Sequence, residues 1–338
     1  MSEPQRPSAL LAMWPDTFAT QFDAQRIARL GGLCRLDQPA PVDLDDPALG
    51  DRLAGVEVLV TSWGAPALTG ERLDRMPGLR AVFHGAGTIR PLVTDEFWER
   101  GIVITSAAEA NAIPVAEFAY AQIVLAGKRA QYLARVPREF RNGWRAQLHS
   151  GRYTNHGRRI GIVGYSRIGR RVVAHLQQLD TAEVLVHDPY ADPDVVARAG
   201  ARLTGLDEVL ASVDVLSLHA PLLPETIGMI GARELALLRD GATVVNTARG
   251  ALVDTVALTR ECASGRLDAI LDVTEPEPLP EDSPLYDLPN VSITPHISGS
   301  LGSETLRLTD AALDELERWV KGEPLTSQVT VADLGVAA

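Results

Sequence analysis

Arg249, Glu277 and His296 stand in order along the chain, each two to four residues past the end of an apolar run. If those runs are parallel strands, the three side chains meet at one edge of a sheet, where open α/β proteins bind their ligands. An arginine can clamp a carboxylate through two parallel hydrogen bonds, and a histidine can donate a proton to a carbonyl oxygen. A neighbouring carboxylate orients such a histidine and favours its protonated form. The three residues therefore predict reduction of a carbonyl group.

Each of these residues also has a plain structural interpretation. Arg249 could form a surface ion pair, and His296 could be a hydrogen-bonded loop histidine. Glu277 lies in an acidic, proline-rich loop of the kind that is usually solvated. Taken singly, none of the three indicates an enzyme. Their occurrence in order, downstream of a nucleotide-binding pattern, favours the catalytic interpretation.

The nucleotide-binding pattern begins at Gly164, where an apolar run enters a turn and then a helix. Dinucleotide sites have the spacing G-x-G-x-x-G there; Gly164 and Gly169 match its outer positions, whereas Ser166 replaces the middle glycine. Asp188 follows 19 residues after Gly169, where an acidic residue accepts from the ribose 2′-hydroxyl and repels a 2′-phosphate. The pattern predicts NAD in preference to NADP, although Arg158 and Arg167 are near in sequence and could help to bind a phosphate. The alternative to cofactor binding is that both glycines serve only the turn and its packing. The predicted cofactor contacts of this segment are Gly164, Ser166, Arg167, Ile168, Gly169 and Asp188.

Short apolar runs alternate with amphipathic stretches along the chain, which is typical of parallel strands joined by helices. The predicted strands are 9–13, 56–62, 79–84, 102–105, 159–163, 183–187, 213–218, 242–246, 267–273 and 291–294. The predicted helices include 16–30, 69–75, 111–134 and 301–321, and 137–159 is interpreted as a surface connection. The last helix must pack on another element, and its return to the first strands would make that domain discontinuous.

The composition excludes several other classes of protein. The chain has 338 residues, 46 % hydrophobic and 22 % charged, which fits about two globular domains. Its net charge of −12 disfavours nucleic-acid partners and an anionic membrane surface, and no apolar run approaches the roughly 20 residues that span a bilayer. Cys34 and Cys262 alone provide neither a disulfide framework nor a cysteine-rich metal site, and the N-terminal apolar stretch is too short for a secretion signal. We expect a cytoplasmic protein without a metal ion or a membrane partner.

Beyond these patterns, the sequence closely resembles the D-isomer-specific 2-hydroxyacid dehydrogenase family. The resemblance lies in VNTARGALVD (245–254), LDVTEPEPLPEDSPLYDLPNVSITPHISGS (271–300), SLHAPLLPETIGMI (217–230) and the glycine turn, and more loosely in NAIPVAEF (111–118) and HGAG (84–87). It implies an α/β protein with two domains. A Rossmann-like, doubly wound NAD-binding domain would comprise 109–298, and a smaller flavodoxin-like substrate domain would comprise 1–108 and 299–338. The resemblance also implies a homodimer to which the helix beginning near Asn111 contributes.

The same resemblance implies a reaction and a role for each site residue. A hydride would pass between NAD(H) and a small 2-oxo or D-2-hydroxy acid, of which glyoxylate and hydroxypyruvate are compatible examples. Arg249 would bind the substrate carboxylate and polarise the keto oxygen, His296 would donate the proton, and Glu277 would hydrogen-bond the imidazole. The backbone at Ala86 and Gly87 would bind the same carboxylate. The residues implied beside the nicotinamide half of NAD are Pro221, Thr226, Thr247, Asp272 and Ser298, with Asp272 facing the carboxamide.

Two departures from the family pattern bear on cofactor and substrate. Ser166 replaces a glycine that lets the backbone approach the pyrophosphate, although its hydroxyl could donate to a phosphate oxygen. After HGAG the family usually has an Asp-Asn pair, whereas this chain continues with Thr88-Ile89-Arg90-Pro91, so that Arg90 could add a positive charge at the substrate. The candidates for substrate specificity are Arg90, His84, Ser62, Trp63 and Tyr153, of which Trp63 is interpreted rather as a core aromatic residue.

Other functions on the same fold stay open at this point. A phosphoglycerate dehydrogenase would often carry a further regulatory domain, for which we expect no room after the last helix. Glu277 argues against a formate dehydrogenase, because those enzymes resemble this family but have glutamine at that position. An NAD-sensing corepressor retains the arginine, glutamate and histidine, so those residues do not exclude it. An enzyme reduced to a binding module through Ser166 is a further alternative.

Overall fold

Two parallel sheets organise the part of the chain that the computed structural model describes, which comprises residues 6–135, 153–181 and 183–334. The predicted α/β fold class is confirmed. Most of the predicted surface connection, 137–152, lies outside the described residues, as do the first five residues of the N-terminal stretch.

The described residues fall into two compact units. One contains those of Met1–Asn111 and Ser300–Val336, and the other contains those of Ala112–Gly299. The strands are β1 (Ala9–Ala12), β2 (Val58–Thr61), β3 (Ala81–His84), β4 (Val103–Ser106), β5 (Arg159–Val163), β6 (Glu183–His187), β7 (Arg202–Leu203), β8 (Val215–Leu218), β9 (Thr243–Asn246), β10 (Asp268–Leu271) and β11 (Val291–Ile293). The α-helices are α1 (Pro15–Gln21), α2 (Ala24–Leu33), α3 (Gly50–Ala54), α4 (Gly70–Asp74), α5 (Asp95–Glu99), α6 (Ala108–Gly127), α7 (Ala130–Arg135), α8 (Arg167–Leu176), α9 (Pro193–Arg198), α10 (Leu206–Ser212), α11 (Ala232–Leu237), α12 (Thr255–Ala263), α13 (Thr305–Lys321) and α14 (Val331–Leu334).

The sheet of the first unit has the strand order β1-β2-β3-β4. Alternate strand residues enter two separate apolar clusters, so both faces of the sheet are covered, as expected for short parallel strands with continuous apolar sequence. The last strand residues, Ala12, Thr61, His84 and Ser106, are in register with one another. The loops that follow these strands therefore begin at one level of the same edge.

The prediction of a single helix over 16–30 is wrong. Helix α1 ends before Phe22, and Asp23 begins a second helix because its carboxylate accepts a hydrogen bond from the backbone N–H of Arg26 at 2.9 Å. An aspartate in this N-cap position satisfies one of the donors that a helix start leaves unpaired.

The C-terminal helix α13 packs on the first unit, and the chain then returns to β4. Ala312, Leu313 and Leu316 enter the apolar cluster that covers one face of β1 to β3. The buried carboxylate of Glu315 accepts from the backbone N–H groups of Thr326 and Ser327 at 2.9 and 3.0 Å. This strap continues into an antiparallel bridge between residues 105 and 328, which extends the sheet beyond β4.

The sheet of the second unit has the order β11-β10-β9-β8-β5-β6-β7, and every pairing within it is parallel. The strand order reverses between β5 and β8, which makes this a doubly wound, Rossmann-like sheet. Apolar clusters cover both faces. The two-residue strand β7 was not predicted, because one arginine and one leucine are too short a run to show an apolar pattern in the sequence.

The predicted helix over 111–134 is two helices. Helices α6 and α7 are separated at Arg129, whose backbone has a φ of +47°. Its guanidinium donates two hydrogen bonds, of 2.8 and 2.9 Å, to the Asp268 carboxylate at the start of β10. Burial raises the pKa of Asp268, and the bonds from Arg129 oppose that shift. Among the described helices, none combines the length and apolar character needed to cross a membrane.

Candidate active site

The site residues singled out in the second half of the chain follow different strands of one sheet. Gly164 follows β5, Asp188 follows β6, Pro221 follows β8, Arg249 follows β9, Glu277 follows β10 and His296 follows β11. Because all these strands are parallel, their carboxyl ends meet at the same edge. The structure thus places the candidate catalytic residues and the glycine turn at one edge of the second unit.

His296 and Glu277 form a hydrogen-bonded pair. The imidazole Nδ1 lies 2.8 Å from Glu277 Oε1, and the two side chains are 51 % and 42 % exposed. Glu277 engages Nδ1, and the other ring nitrogen makes no hydrogen bond with a described residue. An imidazole held in this way by a carboxylate can exchange a proton with a ligand through Nε2. The alternative of a hydrogen-bonded loop histidine is compatible with this contact as well, so the catalytic role of His296 stays a prediction.

The backbone around His296 is fixed by Asp272. Its carboxylate accepts from Thr294 Oγ1 at 2.6 Å and from the N–H groups of Ile297 and Ser298 at 2.9 and 2.8 Å. Its carbonyl oxygen accepts from the N–H of His296 at 2.9 Å. Asp272 is 1 % exposed, and His296 has a φ of +53°, a conformation that needs such support outside glycine. The implied role of Asp272 at the carboxamide would use the acceptor capacity that its Oδ2 retains.

Arg249 is held by a tight turn after β9. The Asn246 side chain accepts from the N–H of Ala248 at 3.1 Å and donates to the carbonyl of Arg249 at 2.8 Å. A methyl group at Gly250 would overlap the carbonyl of Thr274, so the turn packs directly against the segment after β10. Burial lowers the pKa of the Arg249 guanidinium, and the charge of Glu277 opposes that shift. A partly buried guanidinium that stays charged is a suitable partner for a carboxylate.

The glycine turn after β5 admits no side chain at its outer positions. Gly164 has a φ of +94°, and a Cβ there would lie 2.5 Å from the N atom of Ala220. A Cβ at Gly169 would overlap the carbonyl of Gly164. Ser166 is the N-cap of α8: its hydroxyl accepts from the N–H of Gly169 at 3.3 Å and donates to the carbonyl of His219 at 2.9 Å. The hydroxyl proton of Ser166 is therefore donated to a protein carbonyl and not left for a phosphate oxygen. The N-terminus of α8 still presents backbone N–H groups to an anion.

Asp188 lies at the end of β6 and ties that end to the glycine turn. Its carboxylate accepts from the N–H of Tyr165 at 2.7 Å and from the N–H of Tyr190 at 2.8 Å. Each oxygen retains acceptor capacity for a ribose hydroxyl. The position of the charge beside the turn is the one that the fingerprint predicts.

The residues after β8 and β9 complete this edge. Thr247 is 4 % exposed, and its hydroxyl makes no hydrogen bond with a described residue. A buried polar atom without a protein partner is costly, so the Thr247 hydroxyl is available to a ligand or a water molecule. The Thr226 hydroxyl donates to the carbonyl of Pro221 at 2.7 Å and so closes the loop after β8. With the cradle at Gly164 and the helix N-terminus, these residues fit a bound dinucleotide.

The predicted carboxylate-binding loop belongs to the first unit. Ala86 and Gly87 follow β3, and their N–H groups donate to no acceptor among the described residues. His84 holds the start of this loop. Its Nδ1 lies 2.9 Å from Thr61 Oγ1, and its ring also forms a hydrogen bond with the backbone of Thr88. Arg90 donates to the carbonyl of Leu334, so its guanidinium is engaged by the C-terminal segment.

The structural role of His219 was not predicted from the sequence. This residue is 1 % exposed, its Nε2 lies 2.9 Å from Ser217 Oγ, and its carbonyl accepts from Ser166. Burial lowers its pKa to about 3. The sequence signal that could have indicated this role is the position of His219 directly after the apolar run of β8, at the same sheet edge as the glycine turn. The interpretation of Trp63 as a core residue is wrong, since it is 36 % exposed.

Comparison with known proteins agrees with this geometry. Residues 123–298 match the family described as D-isomer specific 2-hydroxyacid dehydrogenase, NAD binding domain. A D-3-phosphoglycerate dehydrogenase of Archaeoglobus fulgidus is 33 % identical over 70 % of this chain and 44 % of its own length. A glyoxylate reductase of Korarchaeum cryptofilum is 30 % identical over 92 % of this chain and 94 % of its own. The TT0316 protein of Thermus thermophilus has a TM-score of 0.74 at 28 % identity, covering 96 % of this chain and all of its own.

The fold and the glycine turn define a protein of the doubly wound, dinucleotide-binding class. The chain belongs to the D-isomer-specific 2-hydroxyacid dehydrogenase family. The chain spans about half the length of the phosphoglycerate dehydrogenases that it matches.

Proposed function

We propose that this protein is an NAD-dependent oxidoreductase that interconverts a 2-oxo acid and the D-2-hydroxy acid. The observation that carries the proposal is the pair of His296 and Glu277, 2.8 Å apart, at the sheet edge that also holds Arg249. Cofactor and catalytic roles are assigned to the second unit, and a carboxylate-binding role to Ala86 and Gly87 of the first. NADH, when bound, supplies the hydride.

Side chains of the protein bind the substrate and supply the proton. Arg249 binds the substrate carboxylate and polarises the keto oxygen, since its guanidinium offers two parallel donors. Protonated His296 donates through Nε2 to the oxygen that becomes the hydroxyl, while Glu277 holds Nδ1 and stabilises the imidazolium. The N–H groups of Ala86 and Gly87 supply further donors to the carboxylate.

NAD in preference to NADP is part of the proposal. Gly164, Ser166, Arg167, Ile168 and Gly169 hold the pyrophosphate at the start of α8, and Asp188 accepts from the ribose hydroxyls. The negative charge of Asp188 disfavours a 2′-phosphate. Thr247, Asp272 and Ser298, with the loop from Pro221 to Thr226, lie beside the nicotinamide. Association of two copies through α6 and a cytoplasmic location remain predictions.

Replacement of His296 tests the proposal. We expect wild-type protein to oxidise NADH with at least one acid among glyoxylate, hydroxypyruvate, pyruvate and phenylpyruvate. His296→Ala should lower kcat about 10²- to 10⁴-fold, because a general acid contributes on that order. NADH affinity, measured by fluorescence titration, should stay unchanged.

His156→Ala is the matched control. His156 also pairs with a carboxylate, Asp180 at 2.6 Å, but its side chain is 79 % exposed and it precedes β5 at the opposite edge of the sheet. It should retain wild-type kcat. Near-normal turnover in His296→Ala would contradict the proposal. NADH binding without turnover of any acid would favour a binding protein on this fold.

A further inference from the structure

Two tryptophans stand exposed at the carboxyl edge of the four-stranded sheet. Trp14 is 62 % exposed and Trp63 is 36 % exposed. Each lies two residues past the end of its strand, Trp14 after β1 and Trp63 after β2. Two large apolar side chains that are exposed in neighbouring loops are candidates for a binding surface.

The indoles belong to loops that are joined to the carboxylate-binding loop. Because Ala12, Thr61 and His84 are in register, Trp14, Trp63 and Ala86 occupy equivalent positions past three adjacent strands. The N–H of Trp14 donates to the carbonyl of Trp63 at 2.9 Å. Adjacent strands lie about 4.8 Å apart, so the backbone of Trp63 is one strand spacing from the loop that contains Ala86.

Hydrogen bonds fix the spacing between these loops. Ser62 Oγ donates to the carbonyl of Gly85 at 2.9 Å, and the N–H of Gly85 donates to the carbonyl of Thr61 at 2.7 Å. The buried amide of Gln21 donates to the same Gly85 carbonyl at 3.1 Å. The loop carrying Trp63 and the loop carrying Ala86 therefore form one rigid surface.

The indole of Trp14 packs against Gly64. Gly64 has a φ of +91°, and a Cβ at this position would overlap the ring of Trp14. The indole thus rests on the bare backbone of Gly64 while most of its surface stays open. Only glycine fits both the conformation and the contact.

The same loops contain a single cation, and that cation already donates a hydrogen bond to the backbone. In residues 13–16, 62–66 and 85–91 the charged side chains are Asp16 and Arg90, and Arg90 donates to the carbonyl of Leu334. Burial lowers the pKa of the neighbouring His84 to about 4, so this imidazole is neutral at pH 7. A phosphate group is normally recognised by arginine or lysine.

We propose that Trp63 and Trp14 form the subsite for the substrate side chain, and that this subsite selects 2-oxo acids with a large apolar, aromatic side chain. The inference rests on the proposed function, since it names the substrate class of that site. With the carboxylate held at Ala86 and Gly87, the side chain at C3 extends onto the neighbouring indole of Trp63. Trp14 continues the surface by one strand.

Initial rates with NADH test the inference on three acids: phenylpyruvate, glyoxylate and 3-phosphohydroxypyruvate. Wild-type protein should have its highest kcat/KM with phenylpyruvate. Trp63→Ala should lower the ratio of kcat/KM for phenylpyruvate to that for glyoxylate by about tenfold or more, because contacts to a phenyl group are lost. Trp63→Phe should restore most of the ratio. Val331→Ala, a surface variant of the same unit that is 58 % exposed, should leave it unchanged.

The possible failures are distinguishable. Turnover of glyoxylate with an equal ratio in Trp63→Ala and wild type would overturn the inference and leave the proposed function intact. A higher wild-type kcat/KM for 3-phosphohydroxypyruvate than for phenylpyruvate would do the same. Absence of turnover with all three acids, and with hydroxypyruvate and pyruvate as well, would overturn both. If Trp63→Ala does not fold, Trp14→Ala in the same assay decides, with a loss of several-fold expected in the ratio.

Discussion

At the scale of single residues, the half-exposed imidazole of His296 is held from two sides. Glu277 bonds its ring, and Asp272 bonds the backbone around it. The ring can therefore meet a ligand without losing its orientation. Asp272 holds the loop through backbone hydrogen bonds, and Glu277 places a carboxylate against Nδ1.

Glu277→Gln separates the charge from the hydrogen bond. The amide keeps the size of the side chain but no longer stabilises an imidazolium, so we expect kcat/KM for 2-oxo acid reduction to fall about 10- to 100-fold. Glu275→Gln is the matched control, because its carboxylate lies in the same segment and makes no hydrogen bond with a described residue. Steady-state kinetics at pH 7 measures both. Equal losses in the two variants would contradict a specific role of Glu277.

The types of the three candidate catalytic residues could be predicted from the sequence, because each follows an apolar run. Their meeting at one edge follows from parallel strands alone. The hydrogen bonds of Asp272 could not be predicted, since they join residues 22 to 26 positions apart along the chain through the local path of one loop. The same holds for Ser166, whose hydroxyl bonds a carbonyl 53 positions away.

At the scale of elements, the predicted strands agree with the structure to within a few residues, because buried parallel strands are continuous apolar runs. The helices were predicted less well. The breaks at Asp23 and Arg129 depend on a local cap and on an ion pair to β10, and neither changes the apolar periodicity. The exposure of Trp63 could not be predicted, because it depends on where β1, β2 and β3 end relative to one another, and the residues around Trp63 do not show this.

The close packing of the β9 turn on the segment after β10 can be tested at Gly250. Gly250→Ala forces a methyl group against the backbone of Thr274, so we expect a loss of about 1–3 kcal/mol in the free energy of unfolding. Activity should fall as well, because Arg249 or the segment leading to Glu277 must shift. Gly205→Ala is the control, since a Cβ there meets no atom within 4 Å. Urea unfolding of the two variants gives the comparison, and equal stabilities would contradict the packing argument.

At the scale of the whole molecule, two buried imidazoles make stability depend on pH. Burial lowers the pKa of His84 to about 4 and that of His219 to about 3. In the unfolded chain both take up a proton near pH 6.5. Between pH 7 and 5 the unfolded state therefore binds more protons than the folded state, and its relative free energy falls.

We expect the free energy of unfolding to decrease by about 2 kcal/mol for each of these histidines between pH 7 and pH 5. Buried carboxylates such as Glu315, whose pKa is lowered by hydrogen bonds despite its burial, add to the loss only at lower pH. Urea unfolding at pH 7, 6 and 5 measures the effect. Equal stability at pH 7 and pH 5 would contradict it, as would imidazole NMR signals of both residues that titrate near pH 6.5.

The return of α13 and the strap that Glu315 holds have a consequence during synthesis of the chain. The sheet of the first unit is complete in sequence by Ser106, but one of the helices that cover its face starts only at Thr305. At roughly 5–20 residues per second, on the order of 10–40 seconds separate the two on the ribosome. Throughout that interval α13 is missing from the apolar face of β1 to β3, and α1 and α2 alone cover it. The contiguous second unit can fold in the meantime, so the unit that begins first along the chain is the last to be completed.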